Sequence, residues 1–341
     1  MTGNLALLLW LILVLVGIGA MQWGASKASA ALNTLRVHVG LRATVAGALL
    51  GIATAAPEVS VNLASIAFGW PDLGLGAALG SNVPALPLVF LVAWLSLRFT
   101  PAKGRSPQPI SVGAAAASET PMPVVAAATV PVQALPYLLV VLLLAGLTLP
   151  PGWAGLQPID ALLLLLAWGI YLARALLRPR EAPDPAAGTR GRTGRVALLG
   201  VPAIALGALA SVVAGQRLGE AFGASDLVVG LFVIGLLCAL PESFTAWRLA
   251  REGNTTTAVS TAMADGIVSL TMALVAPALA GAKVGDVPVY LANLAFLCFV
   301  LVTYIALNHL RWGQELALAR VRIFVGGYAV YLAGVAYLLA Q

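Results

Sequence analysis

Charge is what this sequence lacks. Only 9% of its 341 residues are charged, 60% are hydrophobic, and the mean hydropathy is +0.96. Soluble domains carry about 25% charged residues, so a water-soluble fold is excluded. Cysteine is nearly absent: Cys238 and Cys298 both fall inside apolar runs. That excludes a disulfide framework and leaves two small buried side chains. Strand-like alternation is also missing from the apolar runs, which rules against a barrel and leaves helices to satisfy the backbone in lipid. No basic residue precedes the first run, Leu5 to Ala20, since the chain opens Met1-Thr2-Gly3-Asn4, and no clear cleavage signal follows. This run therefore reads as a spanning helix rather than a signal peptide. The histidines, His38 and His309, fall at span ends and read as interfacial, with no metal role.

What is present are apolar runs of about 20 residues, the length that crosses roughly 30 Å of hydrocarbon. They predict an all-α integral membrane fold with spans near residues 4–23, 40–69, 73–96, 134–149, 157–177, 196–222, 225–250, 256–279, 287–309 and 320–340. Residues 97–133, rich in Pro, Ala and Ser, read as a flexible loop. Residues 178–195 hold five arginines and read as a cytoplasmic linker between two halves, 1–177 and 196–341. With the N-terminus outside, the cytoplasmic connections collect nearly every Lys and Arg, leaving only Arg217 and Lys283 on the other side. The net charge of +6 thus reports orientation in an inner membrane and does not point to nucleic acid. Five spans per half also means that the halves enter the membrane from opposite sides, as an inverted repeat.

The halves share a pattern. Gly51-Ile52-Ala53-Thr54-Ala55-Ala56-Pro57-Glu58 in the second span matches Gly235-Leu236-Leu237-Cys238-Ala239-Leu240-Pro241-Glu242 in the seventh. Each Glu is followed 23 residues later by a polar side chain, Ser81 and Asp265. Glu58, Glu242 and Asp265 are the acids that fall deep within apolar runs. An ionisable group at the bilayer centre costs roughly 3 kcal/mol or more. No Lys or Arg lies at comparable depth, so the acids must hold protons, bind a cation or line a wet cavity. The prolines add oxygen donors. Pro57 and Pro241 lack an N–H, so the carbonyls of Ala53 and Leu237 lose their helical partners. Residues 40–69 as one straight helix would run about 45 Å, so a break or strong tilt is expected. Carboxylates beside freed carbonyls suit a hard cation such as calcium, which takes about six to eight oxygens.

At these residues the chain resembles the cation/calcium exchanger superfamily, which includes sodium/calcium and proton/calcium exchangers. Its members carry a Gly-Thr-Ser-x-Pro-Glu-like stretch and a Gly-Ser-Asn-like stretch in each of two inverted repeats. Gly80-Ser81-Asn82 matches the latter in the first half, while Ala264-Asp265-Gly266 stands there in the second. The resemblance implies that Glu58 and Glu242 are the central calcium ligands and that the backbone carbonyls at Thr54 and Cys238 complete the site. It also implies that Ser81 corresponds to a ligand of a flanking sodium site. Ala85 and Ser269 replace the family's Asn or Asp one turn further along the third helix of each half. Asp265 lies four residues before Ser269 and shares its helix face, displaced by about 6 Å. Ala55 and Ala239 replace family hydroxyls. Sodium sites need several neutral oxygens, so protons enter beside sodium as the coupling ion.

The expectation is an antiporter exchanging calcium or a related divalent cation for sodium or protons, with Glu58, Glu242, Asp265, Thr54, Cys238, Ser81 and Ser269 as the metal-binding set. Alternating access is expected from motion of spans 1 and 6 against the core, as in the family. The alternative is a non-transporting member with a cation-binding or scaffold role. No enzymatic activity, cofactor or nucleic-acid partner is expected; the partners are the transported cations and the bilayer, and the chain is taken as a monomer.

Overall fold

A computed structural model describes residues 2–39, 55–99, 129–176, 193–251, 255–309 and 318–341. These are helical throughout, apart from short connections and one isolated bridge between Gly155 and Lys283. The helices are α1 (Thr2–Val39), α2 (Ala56–Ala67), α3 (Pro71–Phe99), α4 (Val130–Thr148), α5 (Asp160–Leu176), α6 (Thr193–Phe222), α7 (Asp226–Arg251), α8 (Thr255–Ser269), α9 (Val275–Leu279), α10 (Val287–His309) and α11 (Leu318–Leu339). Among the described residues, seven of them (α1, α3, α4, α6, α7, α10 and α11) contain a stretch long and apolar enough to cross a membrane. Of the other expected spans, α5 has 17 residues, α8 has 15, and α2 is described for 12.

Several boundaries differ from the sequence reading. The first helix continues to Val39 rather than ending near residue 23, carried by the alanine-rich segment after Trp23. The loop expected over 97–133 is helical at both ends, because α3 reaches Phe99 and α4 begins at Val130. Pro131 does not prevent that start, since a helix's first turn has no use for the missing N–H. Likewise α6 begins at Thr193, inside the expected linker 178–195.

Two close crossings organise the fold. Helices α1 and α6 meet through glycines: a Cβ added at Gly17 would lie 2.7 Å from the Gly207 carbonyl oxygen, and one at Gly24 would lie 2.4 Å from that of Gly200. Helices α3 and α7 meet in the same way. A Cβ at Gly80 would fall 2.1 Å from the Leu231 carbonyl oxygen, and one at Gly235 would fall 2.6 Å from Gly80 Cα. Small residues that let backbones touch are how membrane helices gain dispersion contact in the absence of a hydrophobic drive. Gly76 takes part in the same approach, against the Leu227 carbonyl and Gly230 of α7.

Two buried apolar clusters result. One joins α1, α2 and α6 with the near face of α7, through Val14, Met21, Val61, Val212 and Ile234. The other joins α3, α4, α8, α10 and α11, through Leu79, Val141, Met263, Leu297 and Phe324. Phe90 of α3 stacks on Phe324 of α11 at 4.6 Å between centroids. The outward faces stay apolar: Leu5, Leu8, Ile12 and Val16 of α1 are all exposed, as a lipid-facing helix requires.

Candidate cation site

The site is built from three helices. Helix α2 begins at Ala56, and Pro57 occupies its first turn, where its ring is tolerated. Among the described residues a helix thus starts beside the first Pro-Glu, and the rest of the expected span 40–69 before Ala55 lies outside them. Glu58 lies in the same turn, where the free N–H groups of a helix start favour a carboxylate. The second Pro-Glu behaves differently. Helix α7 runs on through Pro241, and its irregularity comes earlier, as a π-helical segment over Gly230–Gly235. The widened turn shifts the register of the residues that follow, a feature frequent at functional sites. Pro241 still leaves the Leu237 carbonyl without its ordinary helical donor. Asp265 comes from α8, four residues before that helix ends at Ser269.

The candidate ligand atoms of Glu58, Glu242 and Asp265 all lie within 4.8 Å of one another. Glu58 and Asp265 are 3% and 4% exposed, and Glu242 is partly buried. The charges that bear on Glu58 and Glu242 are those of neighbouring carboxylates. Glu58 Oε2 has no hydrogen-bond partner among the described residues. Two unit charges 4.8 Å apart repel by about 3.5 kcal/mol at an effective dielectric of 20. Three such charges are held together only with something positive among them. An all-oxygen donor set of this kind suits a hard cation, or protons in its place.

The other expected site residues are distributed around this cluster. Cys238, 1% exposed, lies one turn before Glu242 and within electrostatic reach of all three acids. Ser269 is fully buried one turn beyond Asp265, and its hydroxyl has no hydrogen-bond partner among the described residues. Ser81 is buried on α3 beside the Gly235 crossing, and its hydroxyl donates to the Ala78 carbonyl at 3.1 Å. Thr54 lies outside the described residues, as do the side chains of His38 and His309.

Three polar residues near the cluster escaped the ligand set. Asn62, fully buried one turn after Glu58, donates from Nδ2 to the Glu58 carbonyl at 2.9 Å and leaves Oδ1 without a hydrogen-bond partner. Its spacing of four from Glu58 in an apolar run is a signal the sequence does contain. Asn82 was visible only as part of Gly80-Ser81-Asn82, and Tyr137 only as a tyrosine in the apolar run after Leu135; the Tyr137 hydroxyl donates to Asn82 Oδ1 at 2.6 Å.

The chain is 26% identical over 335 residues to the inner membrane protein YrbG of Escherichia coli strain K12, covering 94% of this chain and 95% of that one. Among solved structures, it resembles the sodium-calcium exchanger NCX_Mj soaked with 10 mM Na+ and zero Ca2+, with a TM-score of 0.59, 18% identity, and coverage of 96% of this chain and 99% of that one. The same exchanger soaked with 2.5 mM Na+ and 10 mM Sr2+ gives 0.58 and 19%, with coverage of 96% and 99%. At these identities the likeness shows a shared fold. The sequence profile of the sodium/calcium exchanger proteins matches residues 9–177 and 196–337, two segments that together take in most of the sequence. The chain belongs to the sodium/calcium exchanger protein family.

Proposed function

We propose that this chain exchanges calcium, or a related divalent cation, for sodium or protons across an inner membrane, by alternating access to a site formed by Glu58, Glu242 and Asp265. The observation that carries this reading is the convergence of three carboxylates from α2, α7 and α8 to within 4.8 Å in the interior of an apolar helical protein. Backbone carbonyls near Thr54 and Cys238, with Ser81 and Ser269, are the further oxygen donors. Neutral hydroxyls are few around the acids, which favours protons as a coupling ion.

The transport unit in this reading has ten membrane crossings in two inverted halves, 1–177 and 196–341, with the N-terminus outside. Three contacts support that count. The Asp72 carboxylate accepts from the Lys283 backbone N–H at 2.7 Å, Leu156 N–H donates to the Ala282 carbonyl at 2.7 Å, and Val284 N–H donates to that of Ala154 at 2.9 Å. The start of α3 and the connections before α5 and before α10 therefore meet at one end of the molecule, as ten crossings require. The glycine-lined pair α1 and α6 is the element that moves against the rest.

The test is calcium flux into vesicles reconstituted with purified protein. A pH gradient without sodium, or a sodium gradient, drives uptake by the wild type. Glu58→Gln and Glu242→Gln abolish it while leaving a folded, monodisperse protein. Flux driven by neither gradient, or flux indifferent to both substitutions, sinks the reading and favours a non-transporting role.

A further inference from the structure

The Tyr137–Asn82 hydrogen bond sits on the helix turn that carries Asp265. Tyr137 is 1% exposed and Asn82 is 4% exposed. The tyrosine hydroxyl of α4 donates to Asn82 Oδ1 at 2.6 Å, and Asn82 Nδ2 donates to the Ala78 carbonyl at 2.6 Å within α3. The amide is thereby held at both ends. Gly266 follows Asp265 directly. A Cβ added there would stand 2.4 Å from Asn82 Oδ1 and 2.5 Å from the Tyr137 hydroxyl. The hydrogen-bonded pair thus lies against the bare backbone of α8, one residue from the carboxylate. Tyr137 is also within electrostatic reach of both Glu242 and Asp265.

We infer that Tyr137 is a positioning residue of the cation site: held by Asn82 and seated on Gly266, it sets the depth and rotation at which α8 presents Asp265 to Glu58 and Glu242. This inference rests on the proposed cation-binding role of those three acids. Outer groups that orient a metal ligand typically contribute about ten- to a hundredfold to metal affinity. Two other buried tyrosines make similar bonds away from the carboxylates. Tyr290 donates to Thr148 Oγ1 at 2.9 Å, and Tyr331 donates to Asn293 Oδ1 at 2.8 Å. They show what the loss of such a bond does to stability alone.

The experiment compares wild type, Tyr137→Phe and Tyr331→Phe in nanodiscs by thermal unfolding, calcium calorimetry and infrared spectroscopy of the carboxyl bands. Both tyrosine variants lower the unfolding midpoint to a similar extent. Only Tyr137→Phe weakens calcium binding, by about tenfold, and changes the carboxylate bands that calcium perturbs. Wild-type affinity and wild-type bands in Tyr137→Phe overturn the inference, as does an equal loss of affinity in Tyr331→Phe. Replacing both partners with apolar groups of similar shape is close to neutral for stability, so the double variant Tyr137→Phe with Asn82→Leu supplies the same readouts if the single variant does not fold. Should the wild type bind no divalent cation, the cation reading fails by itself. The cation-free carboxyl bands then decide the inference: a shift confined to the Tyr137 variants supports it, and unchanged bands overturn it.

Discussion

On the proposed reading, divalent binding releases protons, and the magnitude follows from the spacing of the acids. Three unit charges within 4.8 Å of one another form three repelling pairs of about 3.5 kcal/mol each, roughly 10 kcal/mol together at an effective dielectric of 20. In that reading a cation-free site relieves the repulsion by keeping a proton, which an arriving divalent ion displaces. For Glu242→Gln the opposing effects can be weighed. Two of the three repelling pairs vanish, a relief of about 7 kcal/mol. The attraction of that carboxylate for a doubly charged ion at about 2.4 Å, roughly 14 kcal/mol on the same scale, vanishes too. Attraction wins by several kcal/mol, and the remaining amide oxygen and water recover only part of it. The expected loss of calcium affinity is at least about a hundredfold, near 2.7 kcal/mol. Calorimetry in buffers of different ionisation enthalpy reads both quantities. The wild-type binding enthalpy varies with the buffer, giving one or more protons released per cation, and Glu242→Gln releases fewer. A buffer-independent wild-type enthalpy, or a variant that binds calcium within threefold of wild type, refutes the reasoning.

The helix crossings carry further predictions. Gly235→Ala puts a methyl group 2.6 Å from Gly80 Cα, where both sides of the contact are backbone and neither yields easily. The expected cost is about 3 kcal/mol, seen as a fall of several degrees in the thermal midpoint, accompanied by weaker calcium binding because α7 also carries Glu242. Gly207→Ala puts a methyl group 2.4 Å from the Gly17 carbonyl oxygen and destabilises by a similar amount. Its carboxylates lie on other helices, so calcium affinity measured below the midpoint stays within about threefold while flux falls.

The carboxylates were legible in the sequence because ionisable groups in hydrocarbon are costly and need a reason. Glu58, Glu242 and Asp265 stood in apolar runs with no basic residue at their depth, and the repeated spacing of 23 tied the two halves together. The different fates of Pro57 and Pro241 were not legible. Both obey the same local rule, but one starts α2 while the other is accommodated within α7, and neighbouring helices decide between those outcomes. The π-helical segment at Gly230–Gly235 was invisible because every residue in it is apolar or glycine, so a widened turn leaves no mark on the hydrophobic period. The start of α4 was missed because Pro131 read as a loop residue, although the early positions of a helix accept proline. Tyr137 gave no warning at all. Its importance comes from what it touches, Asn82 across 55 residues and Gly266 on a third helix, and no local pattern encodes those contacts.

The most direct measurement is a crystal structure of protein soaked with strontium, located by its anomalous scattering. One strong peak bounded by carboxylate oxygens of Glu58, Glu242 and Asp265 is expected, absent from crystals of Glu58→Gln. A peak elsewhere in the molecule, or no peak at strontium concentrations that saturate binding in solution, contradicts the proposed site.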